Sequence, residues 1–184
     1  MGRRSRWLII VASALLSVAP GSTTPAFAET VILLDTAGDN GAATDLLRLR
    51  VAHGEPSAPN RLKLKAAHDG IENFEGYVRF WIDTEKGNTG PEYVSDVVAN
   101  SGGIALMRVG GWRDRDKQKV SCPGLRARAD AFVPDPIVLS VPRTCLGMPH
   151  RARGAAVSSA PAPDGTVDRD WVGSRRQWTT WADR

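Results

Sequence analysis

The alternation of apolar and polar positions is most regular over residues 77–83. A period of two residues is typical of a strand with one face buried in an antiparallel sheet. The segment 87–91, which holds two glycines and a proline, would end this strand. The inward side chains would be Val78, Phe80 and Ile82, and the outward ones Tyr77, Arg79, Trp81 and Asp83.

The same alternation recurs in residues 47–51 and 61–65, where Arg or Lys separates the apolar positions. The intervening segment 54–60 contains Gly and Pro, so we expect these two runs to form an antiparallel pair. Their inward side chains would be Leu47, Leu49, Val51, Leu62 and Leu64. Further candidate strands are residues 31–34, 93–98, 104–109, 125–132, 137–141 and 150–158.

Short runs separated by Gly, Pro, Asn and Asp characterise the whole chain after residue 28, and none shows a sustained helical period. This pattern predicts an all-β fold. We expect an antiparallel β-sandwich, jelly-roll-like, in which residues 29–184 form one domain of two packed sheets. A closed barrel is the structural alternative.

Residues 1–28 have the three parts of a secretion signal. A basic start precedes the apolar residues 7–18, and Ala26-Phe27-Ala28 provides the small residues of a cleavage site. The apolar part is short for a membrane span. We therefore expect cleavage before Glu29 and a secreted, extracellular protein with no membrane span. The general secretory route is favoured, with twin-arginine export as the alternative.

The net charge changes when this leader is removed. The full chain has a formal net charge of +4, and the leader contains three arginines and no acidic residue, so the mature chain carries +1. A charge this small does not indicate a nucleic-acid partner.

The chain contains two cysteines, Cys122 and Cys145. In an exported protein an even pair indicates a disulfide. Closing a loop of about 24 residues would stabilise the fold by roughly 3 kcal/mol in the chain-entropy treatment. Two buried free thiols are the alternative.

A group of oxygen-bearing side chains lies early in the mature chain, at Asp35, Asp39, Asn40 and Asp45. Such hard ligands are those that Ca²⁺ prefers, and a structural calcium site is one interpretation. The spacing is not that of an EF-hand. Asx turns and caps at strand ends are the other interpretation, which we favour.

Two surface features indicate ligand binding. Tyr77 and Trp81 would stand roughly 13 Å apart on the outward face, where flat rings can stack on sugars. Alternate basic positions could attract an anionic polymer; they are Arg48, Arg50, Arg61, Lys63 and Lys65. Against these interpretations, the basic row could be an ordinary solvated face. The aromatic residues could also pack together as a secondary cluster; its members would be Trp81, Trp112, Trp171, Trp178 and Trp181.

Catalytic motifs are absent from the sequence. No Gly-x-Ser-x-Gly segment occurs, no pair of His or Cys has zinc-ligand spacing, and the three histidines lie in separate segments. A secreted hydrolase would need a site assembled from loops, for example around His150 and Asp170.

The order of several motifs resembles secreted actinobacterial β-sandwich proteins of unknown function, which are similar to DOMON and family 9 carbohydrate-binding domains. The motifs are the Asp35-x3-Asp39 pair, the segment 80–84, the turn 141–147 and the terminal tryptophans. The resemblance spans most of the mature chain and implies the sandwich fold. No haem-ligating pair is carried over from it.

The sequence therefore predicts a secreted, non-enzymatic module that binds an extracellular glycan or cell-envelope polymer. The expected ligand-binding residues are Tyr77, Arg79, Trp81, Arg48 and Lys63. A secreted hydrolase and a structural or protein-interaction module are the alternatives.

Overall fold

The structure, a computed structural model, describes part of the chain: residues 28–39, 45–69, 75–84, 87, 90–98, 103–113, 115–129 and 137–184. Residues 1–27, and with them the predicted secretion signal, lie outside this set. Within the described residues, no helix has the length and hydrophobicity needed to cross a membrane.

Regular structure in these segments is almost entirely extended. The strands are β1 (Glu29–Leu34), β2 (Leu46–His53), β3 (Arg61–His68), β4 (Tyr77–Asp83), β5 (Tyr93–Val98), β6 (Leu106–Arg108), β7 (Gln118–Val120), β8 (Arg126–Ala129), β9 (Ile137–Pro142), β10 (Arg151–Pro161), β11 (Val167–Trp171) and β12 (Ala182–Asp183). A short 3-10 helix, Arg143–Leu146, follows β9.

The strands form two antiparallel sheets, which confirms the predicted sandwich. The first sheet has the order β1-β2-β3-β9-β8. The second sheet has the order β11-β10-β4-β5-β6-β7, and β12 pairs with the start of β10. The expected pairing of the second and third strands is present, with Val51 opposite Leu64.

The hydrophobic core lies between the two sheets. Val78, Phe80 and Ile82 on β4 are fully buried in it, as their alternation predicts, and Leu62 and Leu64 face them from the first sheet. Burying a side chain of this size contributes about 1.5–3 kcal/mol. The alternation of apolar and polar residues therefore determines which face of each sheet points into the core.

One inward position was predicted wrongly. The register of β2 against β3 shifts between Leu46 and Arg48, where the strand has a bulge or similar irregularity. An extra residue in a strand makes the side chains before it point to the opposite face of the sheet. Leu46 is therefore fully buried in the core, and Leu47 is not part of the core.

The two sheets approach closely at Gly154 on β10. A Cβ atom at this position would lie 2.8 Å from Cδ2 of Leu64 and 3.0 Å from Cγ2 of Val51. An alanine here would force these side chains to shift, so Gly154 allows the close approach of the two layers.

Three short strands were not predicted. They are β7, β11 and β12, none of which falls within the candidate strands given above. The strand β7 is an edge strand of three residues in which only Val120 packs against the core, so its sequence is too short to show alternation. On β11 the buried residue is a carboxylate, Asp170, whereas the buried position of a strand usually holds an apolar residue.

The predicted disulfide is confirmed. Cys122 and Cys145 are bonded, with Cα atoms 5.4 Å apart. The bond connects the segment before β8 to the 3-10 helix after β9, and both cysteines pack against the main core.

Candidate ligand-binding cavity

An open cavity of about 470 Å³ lies on the outer face of the second sheet, above β4, β10 and β11. We call it the outer cavity. It is lined by aromatic, basic and small side chains: Tyr77, Arg79, Trp81, Trp112, Val157, Ser159, Arg169, Trp171, Arg175 and Arg176. None of these ten residues is acidic.

The strand register arranges the residues at the floor of the outer cavity in rows. The antiparallel pairing of β4 with β10 and of β10 with β11 sets residues from three strands side by side. Successive members of each row point to the same face of the sheet. The two rows are Tyr77–Ser159–Arg169 and Arg79–Val157–Trp171.

A tryptophan cluster forms one side of the outer cavity. The Trp112 ring centroid lies 5.3 Å from that of Trp81, 5.7 Å from that of Trp171 and 4.6 Å from that of Trp178. Trp81 is only 6% exposed, whereas the other three rings are half-buried. The alternative in which the tryptophans pack together therefore holds for these four. Trp181 lies elsewhere, near Arg151 and Arg153.

Arg79 is held in place by an acidic neighbour. Its Nε and Nη2 atoms each donate a hydrogen bond of 2.7 Å to Asp96, and this bidentate contact raises the pKa of Arg79. The Arg79 Cζ atom lies 5.3 Å from the Tyr77 ring centroid and 5.7 Å from that of Trp81. The Asp96 carboxylate thus largely balances the positive charge of Arg79, and the Arg79 guanidinium holds the adjacent rings in place.

The remaining arginines of the outer cavity have no such partner. Among the described residues, the side chains of Arg169 and Arg175 form no hydrogen bond or ion pair. The Cζ atom of Arg176 lies 5.8 Å from the Trp112 ring centroid, within the range of a cation–π contact. Three positive charges therefore border the outer cavity without a carboxylate between them.

A short turn positions Arg175 and Arg176. We call residues 173–177 the arginine loop. The backbone N–H of Gln177 donates to the Ser174 carbonyl (2.8 Å), and the Ser174 N–H donates to the Gln177 side-chain oxygen (2.7 Å). Gly173 and Arg176 both have positive φ, 71° and 64°. The left-handed conformation is uncommon for a residue with a side chain, so this turn dictates where Arg176 points.

A group of aspartates lies beside the arginine loop, and one of them, Asp35, anchors it. Oδ2 of Asp35 accepts a 2.8 Å hydrogen bond from the Gly173 N–H, and Oδ2 of Asp170 accepts one of 2.6 Å from the Leu46 N–H. Carboxylate oxygens of Asp35, Asp39 and Asp170 all lie within 4.8 Å of one another. Burial, together with the charges of the neighbouring aspartates, raises the pKa of Asp170 to about 6 despite the Leu46 hydrogen bond.

The predicted calcium ligands are only partly brought together. Asp35 and Asp39 meet Asp170, which was not predicted, and Asn40 lies outside the described residues. Asp45 is buried, and its Oδ2 accepts a 2.8 Å hydrogen bond from the Gly38 N–H. Such bonds to backbone N–H groups are those of turns and caps.

The structure separates the predicted binding residues into two sites. Tyr77, Arg79 and Trp81 line the outer cavity, whereas Arg48 and Lys63 lie on β2 and β3 of the first sheet. The Lys63 ammonium is 2.8 Å from Glu55, and Arg50 is 3.6 Å from the same carboxylate. The basic row of the first sheet is therefore partly neutralised.

The residues suggested for a hydrolase lie far apart. His150 precedes the first residue of β10, whereas Asp170 is opposite Ser158 near the other end of that strand. Seven residues of extended chain between Arg151 and Ser158 correspond to about 23 Å.

Sequence reasoning missed the contribution of the C-terminal segment to the outer cavity. Arg169 and Trp171 alternate with Asp168 and Asp170, which is a strand pattern with a charged inner face. That alternation was the available signal. For the two arginines of the arginine loop, the sequence gives no indication of a place in the cavity other than their charge.

The geometry defines a two-sheet antiparallel sandwich with an aromatic and cationic cavity on one outer face. No family model, curated protein or solved structure matches the chain.

Proposed function

We propose that the protein is a secreted, non-enzymatic binding module that holds part of an extracellular glycan or cell-envelope polymer in the outer cavity. The observation that carries this proposal is the combination of aromatic and arginine side chains around one open cavity of about 470 Å³. Ligand sites have volumes of about 300–1,000 Å³ and combine apolar walls with a few polar groups.

The aromatic walls suit a ring-shaped ligand. Tyr77, Trp112 and Trp171 are half-buried, so part of each ring remains accessible while its position is fixed by packing. Rigid aromatic side chains lose little conformational entropy on binding. A sugar could therefore pack against these rings while its hydroxyl groups reach Ser159 and the arginines.

The lining also favours binding over catalysis. General acid–base hydrolysis most often uses a histidine or a carboxylate within hydrogen-bond reach of the reacting bond. Among the described residues that border the outer cavity, none is a carboxylate or a histidine.

Retention on insoluble polysaccharides and purified cell envelope tests the proposal. The mature protein should be retained by at least one of these solids, and Trp171→Phe should bind more weakly because Trp171 lines the outer cavity. Trp181→Phe is the matched control, since Trp181 lies outside it. Absence of retention on every solid at both low and high salt would refute the proposal, as would equal losses in the two variants.

A further inference from the structure

We infer that the outer cavity recognises an acidic group, a phosphate or carboxylate carried on the ring-shaped ligand, through Arg169, Arg175 and Arg176. This inference rests on the proposed function and names the chemical class of its ligand. It concerns the charge of the ligand, so it can fail while the proposed function stands.

The distribution of charge is the first argument. Arg79 has its carboxylate partner in Asp96, and Arg50 and Lys63 on the other sheet share Glu55. The guanidinium groups of Arg169 and Arg175 have no hydrogen bond or ion pair among the described residues. Three like charges around one concavity repel each other and concentrate a positive potential there. An anion in the outer cavity would relieve that repulsion.

The chemistry of the donors is the second argument. A guanidinium presents N–H groups in a planar fork that matches the two oxygens of a carboxylate or phosphate. The Arg176 Cζ atom lies 5.8 Å from the Trp112 ring centroid, and a contact with a ring face uses none of the in-plane N–H groups of a guanidinium. A ring with an acidic substituent would therefore meet aromatic faces and guanidinium edges in the same place.

Rigid support is the third argument. Arg169 projects from β11, whose register against β10 is fixed over five residue pairs. Arg175 and Arg176 belong to the arginine loop, which is closed by two internal hydrogen bonds and anchored by Asp35. Arg176 also has a positive φ of 64°. Unusual backbone geometry is found more often at functional sites than elsewhere.

Binding to a panel of immobilised glycans tests this inference. The panel contains neutral polymers (cellulose, chitin), carboxylated polymers (polygalacturonate, hyaluronate) and phosphorylated polymers (teichoic acid, phosphomannan). We expect retention on acidic members at 50 mM NaCl and much weaker retention at 500 mM, because salt screens exposed charges. The carboxylated and phosphorylated arms show which acid is preferred.

Two double variants that each remove two positive charges serve as the test and its control. Arg169→Ala with Arg175→Ala should weaken binding to the acidic polymer by tenfold or more, since one hydrogen bond to a charged group accounts for about that factor. Lys65→Ala with Arg126→Ala removes two charges from the first sheet and should change binding by less than about twofold.

The outcomes separate the two proposals. Retention on neutral polymers as strong as on acidic ones would overturn the inference and leave the proposed function standing. Equal losses in the two double variants would also overturn it, because binding would then follow net charge. Failure on every polymer and on purified envelope would overturn both.

Discussion

Asp170 is a buried carboxylate whose environment makes folding depend on pH. Burial and the neighbouring aspartates raise its pKa to about 6, from an ordinary value of 3.8. The folded state therefore binds the proton more tightly than the unfolded state. Stability falls as pH rises between these two values, and the cost is fully present above pH 6.

Asp170→Asn should therefore stabilise the protein at pH 8. Asparagine keeps an acceptor for the Leu46 N–H and removes the charge, so the free energy of unfolding should increase by about 1–3 kcal/mol. The gain should shrink as pH falls and vanish below about pH 4. Urea unfolding from pH 4 to pH 8 measures it.

Asp168→Asn is the control for this substitution, because Asp168 is exposed on the same strand. It should leave stability nearly unchanged. A variant Asp170→Asn that is less stable than the wild type at pH 8 would contradict the prediction. If a chelator abolished that difference, a cation bound by Asp35, Asp39 and Asp170 would be the cause.

His53 should impose the opposite pH dependence. The Arg143 Nε–H donates a 3.0 Å hydrogen bond to His53 Nε2, and His53 Nδ1 lies 3.2 Å from the Ala182 carbonyl, so the folded state requires a neutral ring. Burial, with the charges of Arg143 and Arg184, lowers the pKa of His53 below 6.5. The unfolded state then binds the proton more readily, and stability is lost as pH falls below about 6.5.

His53→Gln removes this titration while keeping an acceptor for Arg143. We expect the variant to lose less free energy of unfolding than the wild type between pH 7 and pH 5, as measured by urea unfolding. His150→Gln, at an exposed position, should retain the wild-type profile. Identical profiles for all three proteins would show that His53 does not control acid stability.

At the scale of the strand, Gly154 links the sequence of β10 to the distance between the sheets. Gly154→Ala should destabilise the protein by about 1–3 kcal/mol, because the added methyl group overlaps Leu64 and Val51 in a packed core. Thermal or urea unfolding measures the change.

Gly87→Ala provides the comparison, since no atom of the described residues lies within 4 Å of the position its Cβ would occupy and its φ is not positive. Its effect on stability should be small. If Gly154→Ala were neutral, the two sheets would have to separate locally at no cost, which conflicts with the packing described above.

The alternation of apolar and polar residues predicted the strands that have one face in the core. It failed where another feature determined which side chains point inward. On β4 every second residue is buried in the main core, and the prediction was correct. On β2 the irregularity at Leu46 to Arg48 displaced the core position by one residue. On β11 the buried position is Asp170, and a hydrophobic pattern cannot reveal a carboxylate that caps another strand.

For the whole molecule, the disulfide should contribute a measurable part of the stability. Replacing both Cys122 and Cys145 with serine should lower the free energy of unfolding by about 3 kcal/mol, because the closed loop restricts the unfolded chain. Urea unfolding with and without reductant measures this.

The double serine variant itself is the control, since reductant should not affect it. A wild-type protein that keeps its full stability in reductant, with the thiols shown to be free, would contradict the prediction. The disulfide joins segments beside the first sheet, so folded molecules of the variant should retain the outer cavity.

The outer cavity could be predicted only in part, because strand order is a long-range property. The sequence places Tyr77, Arg79 and Trp81 on one face of a strand. It does not show that β4 pairs with β10, about seventy residues later, or that β11 then adds Arg169 and Trp171. It also does not show that Arg48 and Lys63 belong to the other sheet.

The chain order of the cavity walls affects biosynthesis. Tyr77, Arg79 and Trp81 emerge from the ribosome first, whereas Arg169 and the arginine loop emerge about ninety residues later. A nascent chain that stops before residue 167 would lack Arg169, Trp171 and the arginine loop, and with them one side of the outer cavity. Under the two proposals above, binding of an acidic polymer would therefore require synthesis of this last-made side of the outer cavity.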